Sequence, residues 1–407
     1  MQEKINIASN ILYLRKKSGM TQNELAEKLY VSNKTVSKWE RGAGYPELSY
    51  LVRLSEIFGV SIDSLIANER RGIAVAGNII IDSIKTIEDF PEKGMLVNIT
   101  SISHAVGGIV PNVLIDLAEI DRTLPLTAIG RVGNDQNGKD TILELQKRGI
   151  DVSEISISQT AQTSFTDVMS MSGGAKERTF FHHRGANAEF SPEDVPLSSL
   201  RCKMLHFGYI LLLDVFDRED PEYGTVLART LKSAQELGIK TSIDVVSDNN
   251  KERFSKKVIP ALRFTDNAIM NEIEACAVAG LDARDPNGKL IKENLRRAME
   301  RILGYGVRER VIVHCPEAGF LLDRSGEFAE LPSLELPSDF IKGTVGAGDA
   351  FCAGCLWGIH NGASNPDILS FASGAAACSL SAADAVSGMR SAEAIKQLIK
   401  TTKRINF

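Results

Sequence analysis

The stretch Gly343-Thr344-Val345-Gly346-Ala347-Gly348-Asp349-Ala350-Phe351 constrains this chain more than any other. Small residues lead into a single carboxylate, and an apolar segment with few β-branched side chains runs on to Asn361-Gly362. Small residues let backbone amides approach an anion, and the first turn of a helix offers unpaired N–H groups that attract negative charge. An Asp at that junction would lie beside a bound phosphate, where it could take a proton from an attacking hydroxyl. Phe351 to Ile359 is apolar on every face, so the spacing predicts a buried helix that fixes the Asp in place. A glycine-rich loop before a core helix, with Asp349 as a mere cap, is the alternative that this stretch alone leaves open.

Length bounds what surrounds that junction. At 407 residues, 43% apolar and 24% charged, the chain suits two or three soluble globular domains. There is no apolar run behind a basic start and no stretch of about 18 apolar residues, which argues against secretion and membrane spanning and for a cytoplasmic protein. The cysteines (202, 276, 315, 352, 355 and 378) are scattered through apolar surroundings, as reduced core cysteines would be. Cys352-x-x-Cys355 has no second pair and the six histidines show no ligand spacing, so no structural metal site is expected. Charge is uneven. Residues 1–70 carry 10 Lys/Arg against 8 Asp/Glu, whereas the rest carries 37 against 44, and different partners are expected for the two parts.

The first 67 residues read as helical throughout. Ile7, Ile11, Leu12 and Leu14 give an amphipathic helix ending near Gly19. Thr21 and Glu24 form a capping box for a second helix, Ser32 caps a third over Asn33 to Arg41, and Pro46-Glu47 and Ser61 open two more. Short helices joined by a tight turn make a helix-turn-helix unit. The run from Thr21-Gln22 through Val36-Ser37-Lys38-Trp39-Glu40-Arg41-Gly42 closely resembles the phage-repressor-type DNA-binding family. The resemblance implies phosphate contacts from Gln22 and Ser32, and base-edge contacts in the major groove from Asn33, Lys34 and Lys38, assisted by Ser37. Asn and Lys suit adenine and guanine edges. A helical domain for protein contact is the bland alternative. The modest net charge points to dimerisation onto paired half-sites of double-stranded DNA. Asn68 to Gly72 reads as a linker.

From residue 73 to 407 the period changes. Short apolar runs, among them Ile73–Ile81, Thr127–Val132, Met204–Tyr209, Thr241–Val245 and Val311–Val313, alternate with helical segments. That alternation predicts an α/β domain with a mostly parallel, doubly covered sheet, whose ligand crevice lies beyond the strand C-termini. Asp82, Asp244, Asn271 and Asp349 all follow apolar runs and should reach it. Thr86–Ala105 and Ser164–Arg184 break the alternation with a two-residue period.

Five elements, in order, resemble the ribokinase/PfkB family of sugar and nucleoside kinases. They are Gly77-Asn78-Ile79-Ile80-Ile81-Asp82, Gly107-Gly108-Ile109-Val110-Pro111-Asn112, Gly130-Arg131-Val132-Gly133-Asn134-Asp135-Gln136-Asn137-Gly138, Asn271-Glu272-Ile273-Glu274 and the Asp349 loop. The resemblance implies a ribokinase-like α/β fold with a small β lid near 86–105 and 164–184, and ATP-dependent phosphorylation of a sugar or nucleoside. By position, Asp349 would be the general base and Gly346, Ala347 and Gly348 the anion hole. Asp82, Gly108, Asn112, Arg184 and Asn187 would bind the substrate. Asn271 and Glu274 would organise Mg²⁺ through water, with His314, Gly319 and Thr344 on the nucleotide side. A homodimer formed through the lid is implied by some relatives.

Departures cluster on that nucleotide side. Where the family has Thr-x-Gly-x-x-Gly, this chain has His314-Cys315-Pro316-Glu317-Ala318-Gly319, and Pro316 lacks an N–H. Gly343 stands where the family has an acid that helps hold a monovalent cation, so potassium activation is open. Pro111 and Leu114 are further irregularities. Two readings remain: an active kinase fused to a DNA-binding domain, and a transcription regulator whose kinase fold only senses a ligand.

Overall fold

Thr21 and Ser32 begin helices because each offers a side-chain oxygen to an otherwise unpaired first-turn N–H. In the computed structural model, which describes residues 7–66, 70–171, 178–248 and 250–407, Thr21 Oγ1 accepts from Glu24 N at 3.2 Å and Glu24 Oε2 accepts from Thr21 N at 2.7 Å. Ser32 Oγ accepts from Thr35 N at 3.1 Å. The resulting helices are α1 (Ile7–Lys17), α2 (Gln22–Leu29), α3 (Asn33–Glu40), α4 (Leu48–Phe58) and α5 (Ile62–Ile66). Ile11, Leu25, Leu29, Val36, Leu54 and Leu65 are fully enclosed, with Trp39 nearly so. Arg15 Nε meets Glu40 Oε1 at 2.6 Å beneath this core, and Glu40 Oε2 also accepts from Gln22 Nε2 at 2.7 Å.

The chain divides into two compact units: Met1–Gly72 with Pro196–Lys203, and Ile73–Val195 with Met204–Phe407. Pro196–Lys203 groups with the first unit because backbone bonds tie it there, Arg71 N donating to Arg201 O and Lys203 N to Gly72 O. Of the linker expected at 68–72, residues 68 and 69 lie outside the described residues, as do 172–177 in the second lid segment.

The second unit begins with β1 (Ile73–Ala76), β2 (Ile80–Ile87), β3 (Ile99–Gly107), α6 (Ile109–Ile120), β4 (Leu126–Gly133) and α7 (Gln136–Lys147). Next come β5 (Asp151–Ser158), β6 (Phe165–Met171), β7 (Arg178–His183) and β8 (Met204–Ile210). A two-residue hairpin pair, β9 (Glu219–Asp220) and β10 (Gly224–Thr225), precedes α8 (Val226–Glu236) and β11 (Lys240–Val245). Short α9 (Lys251–Arg253) and α10 (Ile259–Leu262) lead to β12 (Asn267–Asn271), α11 (Glu272–Val278) and α12 (Lys292–Gly304). The chain ends with β13 (Arg310–His314), β14 (Ala318–Asp323), β15 (Phe328–Pro332), α13 (Ala347–His360), α14 (Asn365–Ser379) and α15 (Ala392–Thr401).

Nine strands form one sheet in the order β15-β14-β13-β12-β11-β8-β1-β4-β5, parallel except for β14 and β15. The lid is a separate four-stranded sheet, β3-β2-β6-β7. Here the structure corrects the sequence reading. Ile73–Ile81 is not one strand: Gly77, at φ 146°, breaks it, and a Cβ at that position would sit 2.8 Å from Gly208 O. The chain therefore leaves the main sheet, and Asp82 belongs to lid strand β2 rather than to a main-sheet terminus. On α13, a Cβ at Gly354 would stand 2.6 Å from Ala372 Cα, so the missing side chain is what lets α13 lie tightly against α14. Among the described residues no helix is long and apolar enough to cross a membrane.

Glu40 carries the clearest stability prediction. Glu40→Ala removes the acceptor of three part-buried bonds, two from Arg15 and one from Gln22, and leaves the Arg15 charge uncompensated, which typically costs about 3–5 kcal/mol. Calorimetry should show the first unit melting earlier while the second keeps its transition. An unchanged first transition would mean that the pair carries no stability.

Candidate active site

Asp349 occupies the first turn of α13, whose N-cap Gly346 takes the left-handed conformation at φ 79°. A Cβ on Gly346 would fall 2.6 Å from Ala385 Cα, so only glycine fits this turn. The turn leaves the amides of Ala347 and Gly348 at a helix N-terminus, where the aligned dipoles favour an anion. Asp349 itself is only 8% exposed. Asn112 Nδ2 donates to its Oδ2 at 2.7 Å, and the Tyr209 hydroxyl lies 3.0 Å from Oδ2 and 3.2 Å from Oδ1. Among the described residues, Asn112 Oδ1, buried in the first turns of α6, has no hydrogen-bond partner, and neither side-chain polar atom of buried Asn78 has one.

Burial is the main force on the carboxyl, and the Asp244 charge adds to it. Together they push the Asp349 pKa up to about 7 against the opposing bonds from Asn112 and Tyr209. Burial likewise raises Asp82 to about 6. That carboxyl has room only because position 107 is glycine: a Cβ there would lie 2.3 Å from Asp82 Oδ2. Burial raises Glu274 to about 8, although bonds from Asn271 N at 3.0 Å and Ser247 Oγ at 2.9 Å oppose it.

Two adjoining cavities meet at the α13 N-terminus. The smaller, about 270 Å³, holds Asp349, Tyr209, Asp244, Asn271, Glu274 and Gly346. The larger, about 730 Å³, is lined by Gly319, Thr344, Ala347, Phe351 and Leu336 among others. His314 and Gly348 border both. Asn271 and Glu274 form a capping box for α11, Glu274 N donating to Asn271 Oδ1 at 2.8 Å. The His314 ring lies against Phe351, centroids 5.0 Å apart, and its enclosure lowers its pKa to about 4, so it is neutral. Pro316 falls in the turn between β13 and β14, where Cys315 N donates to Ala318 O at 2.9 Å. A Cβ at Gly343 would approach Ala382 O to 2.9 Å and Ala383 Cα to 3.0 Å, so neighbouring backbone crowds the place of the expected acid.

Other expected residues are placed differently. Gly108 is the N-cap of α6 at φ 85°, within 2.6 Å of Asn78 O once a Cβ is added, and so serves the chain's close approach. Asn187 spends its amide on backbone, accepting from Ile79 N at 3.2 Å and donating to Ile79 O at 3.1 Å. Arg184 Nη1 donates to Leu212 O at 2.8 Å. Tyr209 and Asn78 were missed in the sequence. The signal for Tyr209 is conformational, since a bulky residue at φ 60° is strained and is held there by its surroundings.

In the first unit, Asn33, Lys34 and Lys38 are exposed on α3 and Ser37 is partly covered. Asn33 Nδ2 donates to Asn23 Oδ1, and Ser32 is exposed while capping α3. Gln22 is held by Glu40, which orients its amide from below.

A nine-stranded, mostly parallel sheet with a detached lid and a carboxylate at a glycine-rich helix start defines a ribokinase-like α/β protein, here joined to a helix-turn-helix unit. Residues 70–392 match the pfkB family carbohydrate kinases, and the chain belongs to that family; residues 11–65 match a helix-turn-helix family. The 5-dehydro-2-deoxygluconokinase of Clostridium perfringens is 24% identical over 308 residues, covering 73% of this chain and 85% of its own. The HTH-type transcriptional activator BcrR of Enterococcus faecalis is 48% identical over 56 residues, 14% of this chain and 28% of its own. Arabidopsis thaliana ribokinase, solved with ribose and ATP, superimposes with a TM-score of 0.67 at 21% identity, over 81% of this chain and 99% of its own.

The raised Asp349 pKa has a measurable consequence. Its folded value near 7 lies above the ordinary 3.8, so the folded chain keeps a proton that the unfolded chain releases. The stability this group contributes is present below about pH 4 and is lost as pH rises to about 7. Asp349→Asn should therefore gain on the wild type across that window, by up to about 4 kcal/mol less the cost of any bond lost to Asn112. Melting curves at pH 5 and pH 8 check this; a constant difference would show the carboxyl to be solvated.

Proposed function

We propose that this protein phosphorylates a hydroxyl of a sugar, sugar acid or nucleoside with ATP, and that its helix-turn-helix unit ties that ligand to transcription. The observation that carries the proposal is a single carboxyl, enclosed at the helix start and held there by Asn112 and Tyr209 beside the first-turn amides of α13. A carboxylate poised near neutrality is suited to accept the acceptor hydroxyl's proton. Asn112 and Tyr209 would orient it, and Asn112 Oδ1 and Asn78 would take up substrate hydroxyls at the inner end of the crevice. The amides of Ala347 and Gly348 would face the transferring phosphoryl group. The larger, mainly apolar cavity has the size and lining for a nucleoside, with Gly319 and Thr344 beside it.

Mg²⁺ fits the acidic side of the crevice. Burial, with the charges of Asp244 and Glu272, disfavours ionisation of Glu274, which a cation beside it would relieve. Oxygen donors of this kind suit a hard cation held partly through water. Mg²⁺ there would neutralise phosphate charge, the main requirement of phosphoryl transfer. Asp82 on β2 would bind substrate hydroxyls and close with the lid, excluding water. The exposed Ile99, Ile102, Phe180 and Phe181 on the lid's outer strands support pairing of two copies through this sheet.

The ligand-sensor reading draws on one observation. His314 Cε1 stands 3.3 Å from where a Gly348 Cβ would be, so its ring crowds the helix start on the nucleotide side.

A thermal-shift screen of sugars, sugar acids and nucleosides, with and without Mg²⁺-ATP, identifies the ligand. The deoxygluconokinase relatives make keto and deoxy gluconates the first to screen. With the ligand in hand, Asp349→Asn should cost about 10²- to 10⁴-fold in turnover yet preserve binding, and wild-type kcat/KM should rise about tenfold per pH unit below 7 and level off above. Full activity in the variant removes the base assignment, and binding without turnover in the wild type selects the sensor.

The DNA half is tested by operator binding at fixed salt, with and without the ligand. Coupling of about 5–150-fold is expected, because the paired units must match half-sites about 34–36 Å apart. Asn33→Ala and Lys34→Ala should abolish sequence preference without changing ligand binding. Preserved selectivity in both would exclude α3 as the reader.

A further inference from the structure

One turn along α13 from Asp349, the thiol of Cys352 meets two side chains from the central strands. His206 of β8 is fully buried, and Cys352 and Asp244 of β11 are nearly so, at 2% and 8% exposure. His206 Nδ1 lies 2.9 Å from Ser242 Oγ. Nε2 therefore faces the other way, 3.6 Å from Cys352 Sγ and 3.7 Å from Asp244 Oδ2. All three atoms fall within 4.8 Å of one another, which no other such trio does among the described residues. With Nδ1–H donating to Ser242, the Cys352 S–H donates to Nε2, and a cation that displaces this thiol proton would meet nitrogen, oxygen and sulfur converging on one enclosed point. Buried donors of electron pairs need a positive partner.

We propose that His206 Nε2, Asp244 Oδ2 and Cys352 Sγ form a binding site for a thiophilic divalent cation of the Zn²⁺ class. Tetrahedral bonds of about 2.0–2.2 Å to nitrogen and oxygen and about 2.3 Å to sulfur place ligand atoms roughly 3.4–3.6 Å apart. The Nε2–Sγ separation of 3.6 Å falls within that spacing, and the Nε2–Oδ2 separation of 3.7 Å needs a small contraction to reach it. Three protein ligands leave one position open, and it faces the crevice, since Asp244 and Cys352 line the same cavity as Asp349. Thiolate and imidazole favour zinc over Mg²⁺, which takes oxygen, so this site is separate from any that serves the nucleotide. Ser242 is the outer partner: by accepting from Nδ1–H it holds the tautomer that presents Nε2 to a metal. Cys355, one turn further on, takes no part. An occupied site puts positive charge beside Asp349 and fills the inner crevice. If the kinase reading holds, zinc is therefore an inhibitor.

The test needs no kinase activity. Full-length protein is stripped with a chelator and titrated with Co²⁺, whose thiolate charge-transfer band in the near ultraviolet reports sulfur coordination. The wild type should bind one Co²⁺ with that band, and Zn²⁺ should displace it. Cys352→Ala should lose the band and Cys355→Ala keep it. Ser242→Ala should retain the band with affinity reduced about 10–100-fold, as loss of an outer partner costs. His206→Gln supplies a second readout: Zn²⁺ should raise the melting temperature of the wild type and not of this variant. No thiolate band in the wild type, a band that survives Cys352→Ala, or equal zinc stabilisation of His206→Gln overturns the site.

Discussion

The burial of one carboxyl group organises the second unit. Asp349 lies where α13 begins, and α13 is apolar on every side and packed tightly against α14. Such a helix has no freedom to swing its first turn toward solvent, so the carboxyl must be accommodated where it is. The accommodation comes from three distant parts of the chain: Asn112 on α6, Tyr209 at the end of β8, and the gap left by Gly346 against Ala385. Close packing sets the position, low polarity sets the pKa, and the helix dipole marks the neighbouring space for an anion.

Negative charge accumulates around that point. Asp244 and Asp82 both raise the pKa of Asp349, and Asp244 raises that of Glu274. A group of acids facing a crevice repels phosphate unless cations join it, and the proposed functions of this site all involve a positive partner. The same acids make the site sensitive to pH near neutrality. A folded chain carrying several half-neutralised carboxyls holds more protons than its unfolded form, so the architecture trades stability for a responsive site.

The first unit works on a different balance. Its core is small, and the buried Arg15–Glu40 pair under it would be expensive without the bonds that saturate both partners. Glu40 also holds the side chain of Gln22, so the pair links the core to the surface. The exposed face of α3 is polar and cationic rather than apolar, which suits a charged groove better than a protein surface.

Much of this was legible in the chain. The capping box at Thr21–Glu24 and the apolar run after Asp349 are local, and local hydrogen bonding and periodicity are what sequence encodes directly. The family blocks brought Asp82, Asn112, Asn271 and Asp349 into view because their spacing within each block follows the backbone. What lay beyond reach depended on contacts across the fold. Gly77 diverts Asp82 into the lid because Gly208, far along the chain, stands against it. Asn187 joins its amide to both backbone groups of Ile79, a contact that nothing in the local sequence announces. Tyr209 has no motif, and only the packing that holds its positive φ turns its hydroxyl onto Asp349. The trio of His206, Asp244 and Cys352 has no ligand spacing in sequence, because its members come from two strands and a helix that only the sheet order brings together. Sequence determined where the capped helices begin and which apolar runs become strands. Tertiary structure decided which side chains face one another, since that depends on the order of strands and the depth of packing between segments far apart in the chain.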